Sequence, residues 1–317
     1  MKPIRFGAAT IYTRIPPENW IKTAQRIEEL GYSTLFEDDH FGTLNYDPIV
    51  LLSAAAAATK ELNLGTLVFD VDYRHPVILA RTAAALHLLS GGRFEFGIGA
   101  GWKKIDYTMA GIPYDKPIVR IRRLDEALTI IRSVWKQEKT SFKGKYYNLS
   151  EMDQAGELPE GEHPKIMVGG GGKQLLTVAG RHADIVGINE SLSTQFKYTG
   201  KMFAENSLAQ LKKRIEWVKD SARKCGRDPE EIEFQMLFPY ATITDNPGPF
   251  FEVLSKRFGT NVDTVKSQIQ ALCGSVDEIS NKLLMIREET DISYMVFGPT
   301  NMKAFDLFAN EVIPALS

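Results

Sequence analysis

Residues 89–102 read Leu-Ser-Gly-Gly-Arg-Phe-Glu-Phe-Gly-Ile-Gly-Ala-Gly-Trp, and the fold turns on how this stretch is parsed. A helical pattern over Pro76–Leu89 stops at the paired glycines. The run Arg93–Ile98 has strand character, and more glycines follow at once. Helix, strand and glycine-rich turn in that order make one unit of a parallel α/β sheet.

The same unit recurs in both directions. Toward the N-terminus, strands over Ile4–Thr10, Thr34–Glu37 and Leu62–Phe69 alternate with helices over Pro17–Leu30 and Asp47–Lys60. Toward the C-terminus come a helix over Ile121–Lys136, a strand Ile166–Val168, a helix Lys173–Arg181 and a strand Asp184–Ile188. A helix near Ser207–Lys224, a strand within Ile232–Ile243, a strand Tyr294–Phe297 and a helix Lys303–Val312 complete the series. Eight strands with no antiparallel return predict an α/β fold, a closed (β/α)₈ barrel forming one domain over residues 1–317. The apolar strands suit a sheet buried on both faces.

Two stretches exceed a minimal barrel. Residues Gln137–Pro164, after the fourth helix, carry Phe142, Tyr146 and Tyr147 around a hairpin turn at Gly144. Lying between a helix and the next strand, they are expected on the N-terminal face, as structure. Residues Asp245–Ser275 follow the seventh strand, on the side where barrels build active sites. They read either as a lid or as a packing insertion.

Composition narrows the function. A net charge of −2 gives no basic field for nucleic acid or an anionic membrane. The start MKPIRFGAAT lacks signal-peptide character, and the longest apolar run, near Val50–Ala58, is far short of the ~20 residues a bilayer requires. Cys225 and Cys273 have no CxxC spacing, so a disulfide framework and a thiolate metal site are not expected, and a reducing, cytoplasmic setting is. No two histidines have metal-ligand spacing.

Polar or glycine-rich groups follow five successive strands: Glu37-Asp38-Asp39-His40-Phe41, Phe69-Asp70-Val71-Asp72-Tyr73-Arg74-His75-Pro76, Gly97–Trp102, Gly169–Gly172, and Gly187-Ile188-Asn189. They share the C-terminal mouth, where barrel enzymes carry catalysis. Gly169, Gly170, Gly171 and Gly172 open a helix, either to bind a phosphate on backbone N–H groups or to make a tight turn. They do not form a Walker A loop, and Trp102 occupies the place of a third dinucleotide-motif glycine. His40, behind two carboxylates, reads as an acid–base group near pH 7 or as a structural histidine. His75 reads as a positioning residue at a helix start.

Asp39-His40-Phe41, Leu64–Val68, Tyr73–Pro76, Leu89–Phe94, Gly97–Trp102, Arg120–Trp135, Val168–Gly172 and Arg181–Val186 together resemble the bacterial-luciferase-like flavin oxidoreductases, in order over most of residues 4–190. The resemblance implies FMN or the deazaflavin F420 at the barrel mouth, and chemistry as a monooxygenase, reductase or dehydrogenase. It places His40 at the flavin ring with Asp39 supporting it, and Leu67, Val68, Phe69 and Asp70 along one ring face. It puts Gly99, Gly101 and Trp102 at the same mouth and the phosphate on Gly169–Gly172. A cis or bulged peptide is expected between about Leu67 and Phe69. A small-molecule substrate, a homodimer and, for a monooxygenase, a separate flavin reductase complete the implied partners. The chain departs from the F420-labelled branch at Asp70-Val71, where two asparagines are commoner. Lysine outnumbers arginine, which leans the cofactor expectation toward FMN. A sugar-phosphate lyase or isomerase and a non-catalytic flavin-binding protein are the competing readings; the lyase lacks a lysine at a C-terminal strand end.

Overall fold

The computed structural model describes every residue except 1, 14, 43–45, 157, 160, 190–206, 300 and 317. Eight parallel strands close a barrel: Arg5–Ala9, Thr34–Glu37, Asn63–Thr66, Phe94–Gly99, Lys165–Gly170, Ile185–Ile188, Glu233–Phe238 and Ile292–Phe297. Each pairs with its successor, and the eighth returns to the first with Arg5 opposite Tyr294 and Gly7 opposite Val296. The expected third strand, Leu62–Phe69, is interrupted. The peptide between Leu67 and Val68 is cis, and pairing resumes over Phe69–Asp70 against Ile98–Gly99.

Alternation along the strands sorts the core into two layers. Leu35, Val168, Val186, Phe234, Met236, Met295 and Phe297 pack outward against the helices. Ala9, Phe36, Met167, Ile185, Tyr294 and Val296 fill the barrel interior. The residues between outward-facing ones therefore point inward, and among them are Gly97, Gly169, Gly187 and Gln235.

The N-terminal end of the barrel is closed by charge. Arg5 lies 2.6 Å from both Glu95 and Glu233, Tyr294 donates to Glu95 at 2.9 Å, and the guanidinium sits 3.4 Å over the Tyr294 ring. Each polar atom of this largely buried cluster has a partner, as low-dielectric packing demands.

Three elements go beyond or against the sequence reading. The short helix Lys104–Ala110, after the fourth strand, was not anticipated. Helix Val276–Thr290 supplies the seventh barrel helix, opened by a reciprocal Ser275–Glu278 capping box. The antiparallel hairpin of Lys139–Lys143 and Asn148–Asp153 starts from the N-terminal face but does not stay there. Its turn runs up the barrel flank because Glu126 accepts from the backbone N–H groups of Lys145, Tyr146 and Tyr147. Tyr147 then meets His75 edge-on at 5.4 Å and Tyr146 meets Arg123 at 5.6 Å. Residues 245–275 fold around a small core of their own. Phe251, Leu254, Phe258, Val265 and Ala271 pack between helices Gly248–Phe258 and Val262–Lys266 and the parallel strands Tyr240–Ile243 and Ala271–Gly274.

Candidate active site at the barrel mouth

Glycines shape the upper barrel. Gly169 pairs across the sheet with Gly187, and Gly187 with Gln235. A Cβ on Gly99 would come within 2.8 Å of the Val68 side chain, and one on Gly187 within 2.7 Å of Gln235 Oε1. At Gly169 a Cβ would meet nothing nearer than 3.7 Å, with Val68 on one side and Asn189 on the other. The absent side chains leave a shelf that runs from the cis peptide at Leu67–Val68 to Gln235. A barrel layer is ordinarily filled by branched side chains; here the Val68 and Gln235 side chains take the space beside Gly99 and Gly187, and only the space over Gly169 is open.

Gly101 has φ +68°, and a Cβ there would fall 1.9 Å from the Tyr107 hydroxyl and 2.3 Å from Asp70 Oδ2. Only glycine lets the chain turn so close to that pair. The following residue, Trp102, places its ring edge-on to His40 at 5.2 Å. Arg120 fastens the same loop, donating to the carbonyls of Ala100 (3.0 Å) and Gly101 (3.1 Å).

His40 stands at the end of the second strand with its ring partly exposed. Nδ1 lies 2.6 Å from Asp106 Oδ2, and the Asp106 side chain is wholly buried. A carboxylate only accepts, so the ring hydrogen sits on Nδ1 and Nε2 is left to exchange a proton. Lys103 Nζ lies 3.5 Å from the other Asp106 oxygen. Asp38 accepts from the His40 backbone N–H at 3.2 Å and so sets the turn rather than the ring.

The expected support of His40 by Asp39 does not hold. Asp39 accepts from Arg74 at 2.6 and 2.8 Å and from the Asp70 backbone N–H at 3.1 Å. Successive side chains on an extended segment point oppositely, which turns Asp39 away from the imidazole and toward the strand after the cis peptide. Burial pushes the Asp39 carboxyl up against the pull of Arg74. Asp39 therefore braces the segment Phe69–Asp70.

Asp70 faces the same loop and is itself braced. The Tyr107 hydroxyl lies 2.9 Å from Asp70 Oδ1 and 3.0 Å from Asp72 Oδ2, and the Asp72 N–H donates to Asp70 at 2.9 Å. Burial pushes the Asp70 carboxyl up to about 7 despite these bonds. Asp72, also raised by burial, is held by Arg123 at 2.8 Å. Phe69 is fully buried in the helix-facing core, so it contributes backbone to the mouth and no side chain.

Helix Lys173–His182 begins after Gly172, and no side chain caps it, so its leading N–H groups are open to an anion. Gly170 has a packing reason as well: a Cβ there would meet the Leu175 side chain at 2.1 Å. His75 caps helix Pro76–Leu89, with Nδ1 accepting from Val77 N–H at 3.3 Å. Residues 190–206, which follow Asn189, lie outside the described residues. Among the described residues no cluster of His, Cys, Asp or Glu could hold a metal, and no helix is long and apolar enough to cross a membrane.

Asp106, Tyr107 and Gln235 were not singled out from sequence. A signal for the first two existed: an acidic and an aromatic residue one helical turn beyond Gly101-Trp102. Nothing local marks Gln235, which sits between the apolar Phe234 and Met236.

Comparison with known proteins identifies the family. Residues 1–247 match the luciferase-like monooxygenase family. An F420-dependent glucose-6-phosphate dehydrogenase of Kineococcus radiotolerans is 30% identical over 244 residues, which is 75% of this chain and 69% of that protein. A phthiodiolone/phenolphthiodiolone dimycocerosates ketoreductase of Mycobacterium tuberculosis is 28% identical over 267 residues, 73% of this chain and 64% of that one. An F420-dependent secondary alcohol dehydrogenase, solved with an F420-acetone adduct, superposes over the full length of both chains with TM-score 0.82 at 21% identity, which speaks to the fold alone.

Proposed function

The chain belongs to the luciferase-like monooxygenase family, and from that premise we propose that it is a hydride-transferring oxidoreductase. Its cofactor is F420, its substrate a small alcohol or the corresponding carbonyl compound, and His40 is its proton-transferring residue. The observation that carries this reading is the His40–Asp106 pair at the mouth of a barrel whose upper interior is lined by glycines. The F420-dependent names of the relatives outweigh the lysine-rich composition that leans toward FMN.

Bound F420 supplies hydride exchange with a carbon centre. The chain supplies the rest. Val68, Gly99 and Gly169 offer an apolar surface for the ring, and the open N-terminus of helix Lys173–His182 takes the phosphate. Asp106 fixes the imidazole through Nδ1. Nε2 then accepts the hydroxyl proton of an alcohol as it becomes a carbonyl, or returns it in the reverse direction. Trp102 and Phe41, at the rim of the mouth, limit water access to that proton.

Visible-absorption titration of the purified protein with F420 and with FMN tests the cofactor. Tighter binding of F420, and its reduction by one member of a panel of alcohols, is the expected result. Tighter binding of FMN with oxygen-dependent product formation would contradict the proposal.

A further inference from the structure

Gln235 is fully buried, and neither its Nε2 nor its Oε1 has a hydrogen-bond partner. Such an amide is costly to leave unmade, and leucine or methionine would fill the same volume without the cost. Its position explains its presence. Phe234 and Met236 on either side pack outward, so Gln235 points into the barrel. There it ends the row Gly169–Gly187–Gln235, with its Oε1 where a side chain on Gly187 would otherwise stand. Asn189 Nδ2 lies 3.7–3.8 Å from the positions a Cβ would take on Gly169 and Gly187, so a second amide borders the same space.

A carboxamide presents one acceptor and two donors in a plane. The group that satisfies it from the shelf offers an N–H beside a C=O, as an amide, lactam or imide edge does. The pyrimidinedione ring common to F420 and FMN carries such an edge, its N3–H lying between two carbonyls. We propose that Gln235 pairs with this imide edge and so fixes which end of the ring enters the barrel. The assignment rests on the cofactor reading above. It makes Gln235 a cofactor-binding residue that neither donates nor takes a proton in the reaction.

The test uses whichever of F420 and FMN the wild-type protein binds, together with the N3-methyl form of that same cofactor, which lacks the N–H. Wild-type protein should bind the methylated form at least tenfold more weakly. Gln235→Met should bind the parent cofactor at least tenfold more weakly and no longer distinguish the two forms. Without cofactor, the variant should melt at the wild-type temperature or above, because an orphaned amide has been removed. Equal wild-type affinity for both forms would overturn the assignment without needing a variant. Wild-type affinity retained in Gln235→Met would overturn it too. If the wild-type protein bound neither cofactor, the cofactor reading itself would fall and this inference with it; binding without N3 discrimination would remove Gln235 alone.

Discussion

The two ends of this barrel are built on opposite rules. At the N-terminal end the interior is crowded and satisfied: Arg5 joins Glu95 and Glu233, and Tyr294 closes the set. At the C-terminal end the interior is glycine-lined and unsatisfied. Glycines stand where side chains would pack, Gln235 has no partner, and Asp70 is buried with its proton affinity raised. One end spends its chemistry on stability and the other holds chemistry in reserve, so damage to each should read out differently.

The largest effect is expected at the closed end. Arg5→Met would leave the buried Glu95 and the half-buried Glu233 without their cation. Stability should fall by about 3–5 kcal/mol, the usual consequence of removing one partner from a buried ionic set. Urea unfolding checks the loss, and turnover per folded molecule should stay within about twofold of wild type. A loss of turnover with stability intact would erase the contrast between the ends.

Asp70 offers the next largest effect, and its sign is specific. Its native pKa, about 7, lies above the ordinary carboxyl value of 3.8, so between those values the folded state binds more protons than the unfolded state. Stability from this group is full below about pH 4, falls as pH rises toward 7, and is flat above. A shift of this size corresponds to a few kcal/mol, on the order of 2–4. Asn has the shape of the protonated acid and keeps an acceptor for Tyr107. Asp70→Asn should therefore melt higher than wild type at pH 8 and equal to it at pH 4, when both are scanned without cofactor. Identical pH dependence in the two proteins would show that Asp70 is charged in the fold. The departure from the commoner asparagine at this position is thus small in physical terms, because burial raises the proton affinity of the acid.

Much of this contrast was legible in the sequence. Strand order, the closed barrel and the mouth glycines follow from a repeated alternation that depends on local pattern. The position of His40 at the barrel mouth was legible because it directly follows a strand. Its partner was not. Asp106 comes from a seven-residue helix 66 positions away, and adjacency favoured Asp39, whose side chain points the other way. The hairpin was misplaced because the reading tracked where residues 137–164 enter and leave, whereas Glu126 fixes where their turn ends up. Gln235 was invisible because one polar residue between Phe234 and Met236 carries no pattern; only the three-dimensional row of glycines shows what it faces.

The smallest effect is expected at the phosphate end. Gly171→Val adds bulk where an anion approaches the helix N-terminus. Cofactor affinity should weaken about tenfold, or ~1.4 kcal/mol, while the melting temperature of the cofactor-free protein changes little. Unchanged affinity would leave Gly169–Gly172 as a turn.

The central claim is that the open end is a reaction site run by His40 and oriented by Asp106. It is tested most directly by measuring cofactor Kd and single-turnover rate on His40→Ala and Asp106→Asn alongside wild type. The account predicts near-normal folding and cofactor affinity in both variants. His40→Ala should lose about 10²–10⁴-fold in rate, the usual contribution of a general acid or base, and Asp106→Asn should lose less, with a shifted pH profile. A His40→Ala holoenzyme that turns over at the wild-type rate would contradict the account and leave the site without its proton carrier.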